Sequence, residues 1–141
     1  MTGDYPILLV EDDSNDSLLL QRAFRRAALT NLLQVVTNSE EAVDYLLGEK
    51  HYQDRAIYPL PRLLILDLKL PGMSGLELLK WIRSEAKLKD LSVIILSSSR
   101  QTDDIDRAYE LGATSYMAKP EGNFDGLAEM VKCLDLEKNK P

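Results

Sequence analysis

Short apolar runs in this chain end on residues able to do chemistry. Ile7-Leu8-Leu9-Val10 is followed by Glu11-Asp12-Asp13, and Leu63-Leu64-Ile65-Leu66 by Asp67. Val93-Ile94-Ile95-Leu96 is followed by Ser97-Ser98-Ser99, and the segment 115–118 by Lys119-Pro120. If Glu11, Asp12 and Asp67 share one edge, their charges repel. Two like charges ~4 Å apart cost about 4 kcal/mol at an effective dielectric of about 20. A hard divalent cation offsets that cost, and Mg²⁺ commonly uses one or two carboxylates with waters and a phosphate. Lys119 brings a mobile cation to the same edge, and Ser97 a hydroxyl donor. A nucleophilic carboxylate, a metal, a lysine and a hydroxyl are the parts needed to accept a phosphoryl group.

These residues meet only if the runs before them are neighbouring parallel strands. Residues 7–10, 63–66 and 93–96 are apolar at consecutive positions, which suits strands covered on both faces. Residues 33–36 and 115–118 are weaker strand candidates. Helical spacing fills the gaps. Leu20, Phe24 and Ala27 form the first helix face, with Asp13 or Ser14 as its cap. Ser39 reads as the cap of a second helix, with Glu40 and Glu41 in its first turn and Gly48 at its end. Leu76, Leu79 and Ile82 mark a third helix. Thr102 reads as the cap of a fourth, which carries Ile105, Ala108 and Tyr109 and ends at Gly112. Leu127, Val131 and Leu134 mark a fifth.

The order is βα repeated five times. It predicts an α/β three-layer sandwich, doubly wound, with right-handed crossovers around a parallel sheet. In such a sheet, ligands bind beyond the carboxyl ends of the strands, where the chemistry-bearing residues stand. Residues 48–61 form a long connection, read as a surface loop or a helix extended by a turn. Residues 137–141 read as a frayed tail.

The whole sequence has 141 residues, a length that suits a single domain over 1–141. Acidic residues number 23 against 17 basic ones, giving a net charge of −6, so the basic excess of a nucleic-acid binder is absent. A single cysteine, Cys133, excludes an internal disulfide and a multi-cysteine zinc site, and a single histidine, His51, excludes paired-histidine ligation. His51 reads as a solvated loop residue, Cys133 as a small hydrophobe and Trp81 as a partly buried aromatic. No basic-then-apolar leader or membrane-length apolar run is present. The expectation is a cytoplasmic protein that binds neither nucleic acid nor membrane.

The segments ILLVEDD, LLILDLKLPGMSGLELL, VIILSSS and GATSYMAKP together resemble the receiver domain of two-component response regulators. Asp67 precedes Ser97 by 30 residues and Ser97 precedes Lys119 by 22, which fits that family. The resemblance runs from Tyr5 to about Leu136. It implies a flavodoxin-like sheet of order 2-1-3-4-5, with Asp67 as phosphoacceptor. It implies Mg²⁺ held by Asp12 and Asp67, by Glu11 through water, and by the backbone carbonyl of Lys69. Ser97 takes the switch hydroxyl, Lys119 pairs with the phosphoryl oxygens, and Tyr116 is the switch aromatic that turns inward on phosphorylation. Lys119-Pro120 is implied to be a cis peptide. Gly75 permits close approach of the third helix. Lys69 and Ser99 occupy positions that influence dephosphorylation.

The implied partners are a sensor histidine kinase or a histidine phosphotransfer protein, and a downstream protein target. With no output domain expected, signalling would run through protein contacts, by a monomer or a homodimer. The length of the 48–61 connection resembles the small stand-alone receivers that serve phytochromes. Two alternatives stay open. Aspartate-nucleophile phosphatases also place an aspartate after a parallel strand, but need a second acid where this chain has Lys69. A pseudo-receiver would bind partners without phosphorylation.

Overall fold

A computed structural model describes residues 5–120 and 122–134. Strands are β1 (Ile7–Val10), β2 (Leu33–Val36), β3 (Leu63–Asp67), β4 (Ser92–Ser97) and β5 (Ser115–Ala118). Helices are α1 (Ser14–Arg26), α2 (Ser39–Leu47), α3 (Gly75–Ser84), α4 (Thr102–Glu110) and α5 (Asp125–Cys133). All neighbouring strands are parallel, in the order β2-β1-β3-β4-β5. The expected architecture is thus the observed one.

Successive strand residues point to opposite faces, and two separate cores result. Leu8, Val10, Leu64, Leu66, Val93 and Ile95 pack under α2 and α3, with Ala108 of α4. Ile7, Leu9, Leu63, Ile65, Ile94 and Leu96 pack under α1 and α5, joined by Phe124. The central strands are buried along their length, whereas β2 and β5 are edges with half-buried residues. That is why three runs read as continuous apolar stretches and the edges as weaker ones.

The caps decide where each helix begins. Asp13 caps α1, accepting from the backbone N–H groups of Asn15 and Asp16. For α2 the cap is Asn38 rather than Ser39: its side chain accepts from Glu41 N at 2.7 Å. Ser39 is fully buried, and its hydroxyl has no hydrogen-bond partner among the described residues. Ser74 and Glu77 form a reciprocal capping box on α3. At α4 the cap position falls to Gln101, not Thr102, and has no side-chain cap bond. There Ser99 Oγ accepts from Gln101 N at 3.3 Å and donates to Asp104.

Gly48 ends α2 in the left-handed conformation, with φ of 68°. The connection after it runs over the surface, as expected, anchored at a few packed residues. A 3-10 turn at Lys50–Tyr52 buries Tyr52 against Tyr45 and Tyr58. Arg55 donates to the carbonyls of Tyr45, Leu46 and Tyr58, holding the carboxyl end of α2. His51 is exposed and lies over the Tyr52 ring, with centroids 3.9 Å apart. Trp81 is half-buried, as expected, but Cys133 is exposed, because it falls on the outer side of the last turn of α5. The tail at 137–141 and the expected boundary near Leu136 lie outside the described residues. No described helix is long and apolar enough to cross a membrane.

Candidate functional site

Strand register carries the chemistry to one rim. The β1 ladder continues one step past Val10, where Glu11 N donates to Val36 O at 3.0 Å. Glu11 is therefore buried, 2% exposed, while Asp12 turns outward and is exposed. Asp67 is the last residue of β3, paired with Leu96 and buried. Glu11, Asp12 and Asp67 each offer a carboxylate oxygen, and these atoms lie within 4.8 Å of one another. Ser97 ends β4, fully buried, beside Ala118 of β5. Lys119 follows β5 directly, and its backbone N–H donates to Ser97 O at 2.7 Å.

The ammonium of Lys119 crosses the rim to the acids. Its Nζ lies 3.0 Å from Glu11 Oε1, 3.1 Å from Asp67 Oδ2 and 2.7 Å from Asp16 Oδ2. Burial alone would depress this amine, but hydrogen bonds to Asp16 and Glu11 and the charge of Asp67 outweigh it and raise its pKa. Burial pushes the Glu11 carboxyl up to about 7, and Asp67 beside it adds to the rise while Lys119 opposes it. The rim thus carries more negative charge than one lysine offsets. A set of three hard carboxylate oxygens at this spacing fits a divalent cation of the Mg²⁺ type.

Local backbone holds Asp67 in place. Its Oδ1 accepts from Lys69 N at 3.2 Å, which keeps the backbone of Lys69 against the carboxylate. The Lys69 side chain is exposed. Gly75, the first residue of α3, touches the same segment. A Cβ there would lie 2.4 Å from Asp67 O and 2.9 Å from Leu68 Cα, so only glycine fits without a shift. The expected close approach of α3 is present.

On the β4–α4 side, Ser97 Oγ accepts from Ser99 N at 3.1 Å. Tyr116 is half-buried against the α2–α3 core, and its hydroxyl donates to Ser99 O at 2.8 Å. The ring is thus tied to the loop that carries Ser97.

One expectation is corrected. Among the described residues there is no cis peptide bond, so Lys119–Pro120 is trans. The trans form is favoured by about 0.5–1 kcal/mol before proline. The lysine backbone is held instead by the Lys119 N–H to Ser97 O bond.

One residue at the rim escaped sequence reasoning. Asp16 sits in the first turn of α1, where an acid is ordinary helix chemistry. Its available signal is position: the start of α1 and the end of β5 lie at the same end of the sheet.

The sequence profile of the response regulator receiver domain matches residues 7–132. The probable methanogenesis regulatory protein FilR2 of Methanothrix harundinacea is 36% identical, over 89% of this chain and 78% of its own length. The crystal structure of the phosphorylated cyanobacterial phytochrome response regulator RcpA has a TM-score of 0.80 at 34% identity, covering 92% of this chain and 89% of that one. The Mn(2+)-bound form of response regulator Rcp1 has a TM-score of 0.78 at 33% identity, covering 91% and 89%. A protein of that name from Synechocystis is 33% identical over 92% of this chain and 85% of its own. With the strand order, the acidic rim and the family profile in agreement, this chain belongs to the response regulator receiver domains of two-component systems.

Proposed function

We propose that Asp67 accepts a phosphoryl group from the phosphohistidine of a sensor histidine kinase or a histidine phosphotransfer protein, in a Mg²⁺-dependent reaction. The observation that carries this reading is the meeting of Asp67 with Lys119 at 3.1 Å inside the Glu11–Asp12–Asp67 cluster. An Asp67 carboxylate oxygen forms the new P–O bond as the donor's P–N bond breaks, and the leaving imidazole takes up a proton. Lys119 holds charge on the phosphoryl oxygens, and Ser97 donates its hydroxyl to one of them. Asp12 and Asp67, the Lys69 carbonyl, and Glu11 through water would hold the metal. Bound Mg²⁺ supplies charge neutralisation at the phosphoryl oxygens.

Tyr116 and the 97–99 loop report the new anion to the surface beside α4. A phosphate ester carries about −1.5 to −2 charge, and a change of that size biases a two-state surface. The chain then acts as a single receiver domain in the cytoplasm, signalling to a downstream protein by contact rather than by catalysis on other substrates. That RcpA is found phosphorylated and Rcp1 in a Mn(2+)-bound form supports a phosphorylated, metal-dependent reading of this chain.

Incubation with acetyl phosphate and Mg²⁺, read by intact mass, tests the reading. One added phosphoryl group, absent in Asp67→Asn and in chelator, is the expected result. Continuous turnover of phosphate monoesters would instead identify a phosphatase, and no modification at all a pseudo-receiver.

A further inference from the structure

The ammonium of Lys119 has three N–H donors, and the described structure gives it three carboxylates: Asp16, Glu11 and Asp67. A phosphoryl oxygen needs at least one of those donors, so one carboxylate must give way. Resting on the function proposed above, two of the three weaken in the loaded site. Asp67 loses its carboxylate charge when it becomes the acyl ester, and Glu11 belongs to the acidic cluster that would hold the metal. Asp16 lies outside that cluster and makes the shortest of the three contacts, 2.7 Å. Esterification of Asp67 leaves the Asp16 carboxylate chemically unchanged.

Helix chemistry alone does not account for where this carboxylate points. A glutamate or glutamine three places after an N-cap often turns back to the cap's own N–H. Glu77 does so toward Ser74 N at 3.2 Å. On α1 the cap's N–H, that of Asp13, donates to Glu11 Oε2 at 3.1 Å, and Asp16 reaches a residue 103 positions away in the chain. Its side chain is 26% exposed and that of Lys119 15%, so solvent screens the pair only in part.

We propose that Asp16 is a positioning residue that docks the Lys119 ammonium on α1 and so weakens the grip of the site on an incoming phosphoryl group. Two effects act in the same direction. The carboxylate competes for the donor that the phosphoryl oxygen needs, and its charge repels the phosphoryl dianion. Removing the charge while keeping the shape, in Asp16→Asn, frees the lysine to follow the anion. Partly exposed pairs of this kind correspond to about a threefold to tenfold change in an equilibrium constant.

The test uses the full chain at saturating Mg²⁺ with wild type, Asp16→Asn and Asp16→Glu. Phosphorylation by acetyl phosphate is followed by intact mass at varied donor concentration. Binding of beryllium fluoride, a phosphoryl mimic, is titrated by calorimetry as an independent reading. Asp16→Asn is expected to lower the half-saturating donor concentration about threefold to tenfold with the maximal rate retained, and to tighten mimic binding by a similar factor. Asp16→Glu, which still reaches the ammonium, is expected to behave as wild type. A merely structural role predicts loss of stability and no gain in affinity. Affinities in Asp16→Asn equal to or weaker than wild type, with wild type phosphorylated, overturn this proposal alone. A wild type that takes no phosphoryl group overturns the function with it. Should Asp16→Asn melt below the assay temperature, Asp16→Ser carries the same comparison.

Discussion

Burial and the neighbouring Asp67 leave Glu11 with a carboxyl that titrates at about 7, against an ordinary 4.5. The consequence for stability has a definite sign. Between those two values the folded chain binds more protons than the unfolded one, so metal-free stability falls as pH rises from about 4.5 to about 7. Above that window the full cost of the ionised, buried group is present. Glu11→Gln is expected to flatten the slope and to raise metal-free stability at pH 8 by on the order of 2 kcal/mol. Chemical unfolding in chelator at several pH values reads this, and a variant no more stable than wild type at pH 8 would refute it. The same substitution should impair metal binding, the usual conflict between stability and function at a charged site.

At the scale of elements, the helix that matters most to the acceptor is α3, because its first residue rests on the Asp67 backbone. A methyl group at Gly75 meets Asp67 O and Leu68 Cα, both backbone atoms with little room to move. Gly75→Ala is expected to cost about 1–3 kcal/mol, the range for overpacking, and to slow phosphorylation by shifting Asp67. Thermal unfolding and acetyl phosphate labelling measure the two effects, and an unchanged midpoint would count against the contact. The resemblance to receiver domains implied this approach, and the strands were legible in the sequence because burial on both faces leaves runs such as 63–66 without polar residues. Glu11, Asp12, Asp67, Ser97 and Lys119 were legible for the same reason, each standing where an apolar run stops. Asp16 was not, since an acid in a first helical turn has a sufficient local explanation. The anchoring of the 48–61 connection was hidden because Arg55 acts on backbone carbonyls, which leave no mark in residue types. Ser39 and Thr102 misled for a related reason. Any hydroxyl near a helix start suits a cap, and only the fold shows that Ser39 is buried and that Asn38 does the capping.

For the whole molecule, the sheet order brings acids from β1 and β3 and a cation from β5 to one rim above two closed cores. Folding therefore works against the repulsion of those acids, and a cation that binds only the folded chain pulls the equilibrium back. Mg²⁺ at a hundredfold excess over its dissociation constant is expected to stabilise the chain by about 2.7 kcal/mol, seen as a rise of several degrees in the melting midpoint. Asp12→Asn should shrink the rise, and a midpoint insensitive to Mg²⁺ would argue against a site at this rim. The Lys119 bridge back to α1 has one more consequence, in time rather than space. Glu11, Asp16 and Asp67 all precede Lys119 in the sequence, so a chain folding from its N-terminal side displays these acids without their counter-charge until β5 has docked. Electrostatic balance at the rim then marks the moment when β5 has joined the sheet.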